Sequence, residues 1–150
     1  MSLTGETILI TGAARRIGAG LALYLAGVGA DIIIHHGHSE DEAEQTAAEI
    51  RKMGKQAWVL QLNLEKPDQV SDLIQQAWQI KPFQALINNA AVFDPLDWQQ
   101  TTLDDWQRTL NINLTAPFFL SQQFAKHLDG NSGRIINILD WRALRPAADH

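Results

Sequence analysis

The sequence predicts an α/β fold in which a doubly wound parallel sheet carries helices on both faces. Apolar runs rich in β-branched residues alternate with helical segments along all 150 residues. The runs are almost continuously apolar, which is typical of parallel strands covered on both sides. The first run also stops at a glycine turn that leads directly into a helix. Right-handed crossovers then leave little freedom in the topology.

Five strands are predicted from the apolar runs, and the last of them raises a question about the end of the chain. The usual order of such a sheet keeps the fifth strand away from an edge, yet the sequence ends soon after that strand, at His150. An apolar strand on an open edge invites aggregation. We therefore expect residues 1–150 to form a single domain truncated after the fifth strand, either part of a longer polypeptide or paired with another chain. The predicted strands span residues 7–11, 31–35, 57–62, 85–89 and 134–139.

Four helices are predicted between these strands. Gly29 follows the first helix as a stop signal. Ser39 with Glu42 predicts a capping box at the start of the second, and Thr102 with Asp105 predicts another at the start of the fourth. The predicted helices span residues 17–28, 39–53, 67–79 and 102–128.

Composition excludes several classes of function. The formal net charge is −5 and the basic residues are scattered, which argues against a nucleic-acid-binding surface. The chain has no cysteine, so disulfides and thiolate chemistry are ruled out, and we predict no metal site. No apolar run is long enough to span a membrane, and no secretory signal is recognised at the N-terminus. The cytoplasm is the expected location.

The loop after the first strand predicts a phosphate-binding site. Gly12 permits a backbone turn that residues with a Cβ cannot adopt, and Gly18 lets the helix approach the strand closely. Arg15 and Arg16 add positive charge where a dinucleotide carries its phosphates. Ile17 is expected to pack beneath the loop. The alternative is an ordinary helix start with two solvated arginines.

The end of the second strand indicates which cofactor would bind. An NAD site generally needs a carboxylate there for the ribose 2′-hydroxyl. The sequence has instead His36, His38 and Ser39, whose donors suit a 2′-phosphate, and Arg15 supplies a permanent positive charge. We therefore predict NADPH, with histidines in an ordinary loop as the alternative.

The fourth helix contains a proline whose effect can be predicted. Pro117 has no N–H, and its ring clashes with the carbonyl group four residues earlier, which belongs to Asn113. That carbonyl group should leave the hydrogen-bond ladder, and the helix should kink there. A simple proline kink without function is the alternative.

Three motifs together resemble the short-chain dehydrogenase/reductase family. They are the glycine loop from Thr11 to Gly18, the stretch Asn88-Asn89-Ala90-Ala91 after the fourth strand, and Asn113 in the long helix. The resemblance covers essentially the whole chain and implies a Rossmann-like, NADP-binding domain. It also implies homo-oligomers that pair through the long helix.

The resemblance assigns roles to several of these residues. It implies that Asn63 accepts a hydrogen bond from the adenine amino group and that Leu64 lies against the adenine. Asn89 would stabilise the fourth strand, with Ala90 and Ala91 beside the ribose. Asn113 would act in catalysis, because in the family the carbonyl of this asparagine holds a water of the proton relay.

Departures from the usual pattern of the family narrow the resemblance to its pteridine reductase branch. Arg16 replaces a glycine, Asp140 replaces a serine, and Phe93 follows the Asn88-Asn89 motif. In that branch the phenylalanine stacks on the pterin, and the aspartate works beside a Tyr-x-x-x-Lys pair. That pair would lie just beyond His150, since the only tyrosine, Tyr24, belongs to the first helix.

The expected function is therefore reduction of a pterin or dihydrofolate-like C=N bond by NADPH. Phe93, Arg16 and Asp140 would contact the substrate, and a half-buried Asp140 would favour an acid role. Spacing alone favours a surface carboxylate that is solvated or paired with Arg142 or Arg145, and the resemblance reverses that preference. Two other functions remain open: a carbonyl or 3-oxoacyl reductase, and a dinucleotide-binding or sensing module without catalysis.

Overall fold

The computed structural model describes residues 2–140, and these build a five-stranded, fully parallel sheet. The strand order is β3-β2-β1-β4-β5, so the chain moves outward to one edge and then returns to continue on the other side of β1. This reversal is the switch point at which open α/β sheets bind ligands. The predicted doubly wound fold is confirmed. The strands are β1 (Thr7–Ile10), β2 (Asp31–His36), β3 (Ala57–Gln61), β4 (Ala85–Asn88) and β5 (Arg134–Asn137).

The helices lie on both faces of the sheet, and a separate apolar core forms under each face. One core joins residues of α1 and α2 to side chains such as Ile8 and Ile32, and the other joins α3 and α5 to Leu9 and Ile33. Neighbouring strand residues point to opposite faces, so every apolar position of β1 is buried. The helical elements are α1 (Arg16–Gly27), α2 (Glu40–Lys52), α3 (Val70–Ile80), α4 (Leu103–Leu110), a π-helical segment (Asn111–Thr115) and α5 (Ala116–Leu128).

The fourth predicted helix is continuous, but it changes from α-helix to π-helix near Asn113. This is where the missing N–H of Pro117 predicted an interruption. The N–H of Ala116 donates to the carbonyl of Asn111, five residues back, which is the bond of a π-helix. Pro117 offers no N–H to the carbonyl of Asn113, and the wider turn of the π segment accommodates that loss. The departure from the α-helical ladder expected at Asn113 is confirmed, in the form of a π segment, and the expected kink stays a prediction.

The two predicted capping boxes have different outcomes. Thr102 accepts from the N–H of Asp105, and the Asp105 carboxylate accepts from the N–H of Thr102, so this box is confirmed. The box at Ser39 is wrong, because its side chain makes no capping bond. The backbone ψ of Ser39 is 63°, far from the extended value of 168° at Thr102. Three acidic residues in the first turn of α2 favour its N-terminus instead.

Strand β5 lies at an edge of the described sheet. It pairs in parallel with β4, with Ile135 beside Leu86 and Ile136 beside Ile87. Both isoleucines are exposed within residues 2–140, whereas their partners in β4 are buried. Over the same residues, no helix is both long enough and apolar enough to cross a membrane.

Candidate functional site

The glycine loop between β1 and α1 is built by close contacts that leave no room for a side chain. A Cβ on Gly12, whose φ is +63°, would lie 2.9 Å from the Cα of Ala90. A Cβ on Gly18 would collide with the carbonyl oxygen of Gly12 and lie 2.7 Å from Nδ2 of Asn89. The N-terminus of α1 therefore closes tightly over the end of β1, an arrangement that offers backbone N–H groups to a phosphate.

Arg16 adopts a backbone conformation that L-residues rarely use. Its φ is +55°, in the left-handed region where glycine is favoured. The chain thus keeps the turn of a glycine loop but places a guanidinium on it. Ile17, the next residue, is 63% exposed, so the expectation that it packs beneath the loop is wrong.

The strain at Arg16 gives a prediction that separates the effect of the backbone conformation from the effect of the side-chain charge. Arg16→Gly and Arg16→Ala both remove the guanidinium, but only glycine relieves the left-handed backbone. We expect the glycine variant to be more stable than the alanine variant by about 1 kcal/mol. Urea unfolding measures this difference, and equal stabilities would contradict it. Both variants should bind NADPH more weakly than the wild type, and to a similar extent.

His35, which sequence reasoning did not assign to the site, holds the glycine loop against the sheet. Its Nδ1 accepts from the N–H of Gly12 at 3.2 Å, and its Nε2 lies 3.0 Å from the carbonyl oxygen of Leu62. These partners require the neutral tautomer with its proton on Nε2. Burial lowers the pKa of His35 to about 4, and the bond to Leu62 opposes that shift only in part.

The low pKa of His35 predicts that acid destabilises the fold. Between pH 6.5 and about 4 the unfolded chain binds a proton at this residue and the folded chain does not. The stabilisation is complete above pH 6.5 and is lost progressively toward pH 4, by on the order of 3 kcal/mol. Urea unfolding of the wild type and His35→Gln at several pH values measures the effect. The variant should show a shallower slope, and identical slopes would contradict the assignment.

Thr11 and Asn89 join the ends of β1 and β4. The Oγ1 of Thr11 accepts from the N–H groups of Asn89 (2.9 Å) and Ala90 (3.0 Å). The Nδ2 of Asn89 donates to the carbonyl oxygens of Thr11 (2.9 Å) and Gly12 (3.1 Å). Asn89 thus fixes the glycine turn as well as the end of its own strand. Ala90 is half-buried and Ala91 is exposed, so small side chains border this edge.

The loop after β2 brings together only some of the residues predicted for the 2′-phosphate. His38 is exposed, Ser39 is half-buried, and Arg15 reaches over to α2, where its Nη1 lies 3.8 Å from Oε1 of Glu42. His36 is 2% exposed and lies inside the fold. The prediction that its side chain contacts the cofactor is therefore wrong. Burial lowers the pKa of His36, against the opposing carboxylates of Glu40 and Glu44.

The loop after β3 differs from the expectation for an adenine site. The Oδ1 of Asn63 accepts from the N–H of Glu65 at 2.9 Å, which leaves it one lone pair for a ligand. Leu64 is 5% exposed and belongs to the core under α3 and α5. The expectation that its side chain lies against the adenine is therefore wrong, because the apolar core takes that side chain.

Asn113 binds the loop that follows β4, which we call the Phe93 loop (residues 89–102). Its Nδ2 donates to the carbonyl oxygen of Val92 at 2.8 Å, and its Oδ1 accepts from the N–H of Val92 at 2.9 Å. The side chain of Asn113 is therefore committed to the loop. Its backbone carbonyl is the group that the resemblance assigns to the proton relay.

Arg108 lies one turn before the π segment and binds two loops at once. Its Nε donates to Oε1 of Glu65 at 2.8 Å, and its Nη1 donates to Oδ2 of Asp94. Asn111 adds a bond from its Nδ2 to the carbonyl oxygen of Glu65 at 3.0 Å. The hydrogen bond between Arg108 and Glu65 lowers the pKa of Glu65 and raises that of Arg108. Sequence reasoning missed this contact, since Arg108 lies 43 residues from Glu65 in the chain.

Phe93 and Asp140 follow two adjacent strands at the same edge of the sheet. Phe93 is 63% exposed. Asp140 follows β5, whose end is held to β4 by a bond of 2.8 Å from Nδ2 of Asn88 to Oδ1 of Asn137. Asp140 is exposed, so the structure does not provide the partial burial that would favour an acid role. Its alternative partners Arg142 and Arg145 lie outside the described residues.

Two shallow hollows lie near the opposite edge of the sheet. Both are lined by Gln84 and Ser132, and one also by Arg134, which begins β5. None of the predicted site residues lines either hollow. The predicted residues instead gather at the carboxyl edge, where the Rossmann arrangement binds its ligands. Within residues 2–140, no cluster of three or more His, Cys, Asp or Glu is arranged to hold a metal ion.

Two curated relatives of this chain carry reductase names. A hydroxynaphthalene reductase-like protein of Metarhizium guizhouense is 36% identical over 138 residues, which are 90% of this chain and 51% of that protein. A 3-oxoacyl-(acyl-carrier-protein) reductase of Synechocystis is 34% identical over 139 residues, 91% of this chain and 56% of that protein. The chain thus spans about half the length of these relatives.

Solved structures agree with the fold and with the family. A short chain dehydrogenase from Burkholderia cenocepacia in complex with NADP is 34% identical, with a TM-score of 0.92 over 98% of this chain and 60% of that one. The FolM alternative dihydrofolate reductase 1 from Brucella canis, complexed with NADP, is 33% identical, with a TM-score of 0.88 over 95% of this chain and 58% of that one. The short chain dehydrogenase family matches residues 6–148 of the sequence. The chain therefore belongs to the short-chain dehydrogenase family.

Proposed function

We propose that residues 1–150 form the NADPH-binding part of a longer reductase domain that reduces a C=N bond in a pterin or dihydrofolate-like ring. One observation carries this proposal. The strand order places β1, β4 and β5 side by side. Arg16, Phe93 and Asp140 each follow one of these three strands, so all three belong to one stretch of the carboxyl edge.

The residues present fit NADPH. The cradle formed by Gly12 and Gly18 is too close for side chains and suits the approach of a pyrophosphate. No carboxylate stands at the end of β2 to bind a ribose 2′-hydroxyl. Arg15, His38 and Ser39 offer cationic or donor groups for a 2′-phosphate at that place. Asn63, Asn89, Ala90 and Ala91 complete the proposed cofactor site.

Side chains of this chain would orient the substrate and move a proton. NADPH, when bound, supplies the hydride. The exposed ring of Phe93 would stack on a flat heterocycle. The carboxyl of Asp140 would exchange a proton with a ring nitrogen. The carbonyl of Asn113, which receives no bond from Pro117, would hold a water in the proton path.

A carbonyl or 3-oxoacyl reductase is the second candidate. The Synechocystis relative carries the name of a 3-oxoacyl reductase, at an identity close to that of the dihydrofolate reductase structure. This function would use the same cofactor site, but it gives no specific role to Phe93 or Asp140.

A substrate panel separates the two candidates. The protein at its natural length is assayed with NADPH against dihydrobiopterin, dihydrofolate, a 3-oxoacyl thioester and simple ketones. The loss of NADPH absorbance measures turnover. We expect the dihydropterins to be reduced with the highest kcat/KM. Turnover of the 3-oxoacyl thioester or ketones alone would overturn the pterin proposal in favour of the second candidate.

We also propose a homo-oligomer whose subunits pair through the continuous helix formed by α4, the π-helical segment and α5, which carries Asn113. Its outer face exposes Trp106, Leu114 and Phe118, an apolar surface of the kind that protein interfaces cover. Sedimentation of the protein at its natural length measures the oligomeric state.

A further inference from the structure

We propose that Arg108 is a positioning residue that holds the Phe93 loop, and with it the Phe93 ring, at the carboxyl edge of the sheet. This inference rests on the proposed function for the purpose of the ring. The contacts that carry it do not depend on that function.

The residues on either side of Phe93 are both bound to the same helical unit. The backbone N–H and carbonyl of Val92 both bind the side chain of Asn113, at 2.9 and 2.8 Å respectively. Asp94 forms an ion pair with Arg108. The peptide that carries Phe93 is thus anchored on both sides, while the ring itself is largely exposed.

Arg108 is itself oriented by a second carboxylate. Its Nε donates to Glu65 at 2.8 Å, and its Nη1 donates to Asp94. A planar guanidinium bound at two of its edges has little freedom to rotate. Glu65 follows Leu64, which is anchored in the core, so Arg108 connects the Phe93 loop to a fixed point of the fold.

Farther along the Phe93 loop, the hydrogen bonds are local. The N–H of Leu96 donates to the carbonyl of Asp94, and the carboxylate of Asp97 accepts from Gln99 and Gln100. Bonds of this kind shape a turn without fixing it to the sheet. Loss of the anchor at Asp94 should therefore loosen the segment around Phe93 and leave the rest of the fold intact.

Amide hydrogen exchange tests the anchor without any substrate. Arg108→Met should raise the exchange rate at Val92 about fivefold, the range of an ion pair that is partly exposed. The matched control is Arg134→Met, which removes a similar pair with Glu6 (2.8 Å) at the start of β5. The control should leave Val92 unchanged. A wild-type exchange rate at Val92 in Arg108→Met would overturn the proposal.

Kinetics test whether the anchor serves the substrate. Arg108→Met should raise KM for the dihydropterin about fivefold, with kcat within about twofold and the Kd for NADPH unchanged. Arg108→Lys, which keeps the charge but has a single donor nitrogen, should restore part of the loss. An unchanged KM would overturn the positioning role even if exchange is faster.

The two proposals fail in different ways. If the wild type reduces no pterin, the proposed function fails, and the exchange rate at Val92 still decides whether Arg108 holds the loop. If pterin is reduced but Arg108→Met behaves as the wild type in either measurement, only the role of Arg108 fails. A general loss of folding would appear as a lower thermal midpoint, and Arg108→Lys then provides the folded comparison.

Discussion

Gly18→Ala is expected to destabilise the protein by about 2–3 kcal/mol and to abolish NADPH binding. The added Cβ would meet the carbonyl oxygen of Gly12 and lie 2.9 Å from the Cα of Ala13, both of which are backbone atoms. Backbone cannot swing away as a flexible side chain can, so α1 must move off the end of β1. Urea unfolding measures the loss of stability, and fluorescence titration measures NADPH binding.

Gly20→Ala is the matched control in the same helix. A Cβ at Gly20 would have no atom within 4 Å, so the substitution meets open space. Alanine is favoured over glycine inside a helix by up to about 1 kcal/mol, so this variant should be slightly more stable than the wild type. Equal stabilities of the two alanine variants would show that α1 does not need the close approach at Gly18.

Asp140→Ala is expected to lower kcat for dihydropterin reduction at least about 100-fold while NADPH still binds. The proposed role of the carboxyl is proton exchange with a ring nitrogen, and alanine cannot perform it. Asp140 follows β5, and the glycine loop follows β1, with β4 between them. The cofactor site should therefore keep its affinity. Stopped-flow turnover and NADPH titration, both on the protein at its natural length, measure the two effects.

Two further variants complete this test. Asp140→Asn keeps the shape of the side chain without its acid and should lose activity as alanine does. Asp68→Ala removes an exposed carboxylate before α3 and should leave turnover unchanged. Retained turnover in Asp140→Ala would remove Asp140 from the mechanism, and loss of NADPH binding would place it in the cofactor site.

The architecture follows from local patterns that can be read along the chain. Apolar runs such as 8–10 and 32–34 must be buried on both faces, and the intervening segments have helical spacing. The glycine loop, the capping box at Thr102 and the interruption at Pro117 were predicted because each depends on the backbone geometry of a few consecutive residues. Local chemistry decides features of that kind.

Three of the errors have a common cause. Ile17, His36 and Leu64 were assigned to ligand or loop contacts from their positions in motifs, whereas exposure depends on which face of an element the fold covers. Ile17 is exposed, and His36 and Leu64 are buried. The capping error at Ser39 is different, since it depends on a backbone ψ that sequence does not specify.

By itself, the sequence determined the sheet, the glycine loop and the edge of the sheet at which the proposed site lies, because these follow from periodicity and from local backbone rules. Only the tertiary structure decided which side chains hold that edge together. His35 binds Gly12, Asn89 binds the turn at Thr11, and Arg108 joins Glu65 to Asp94. Each of these contacts links segments far apart in sequence. Such pairs form only when the packing of helices on the sheet brings them within hydrogen-bond distance.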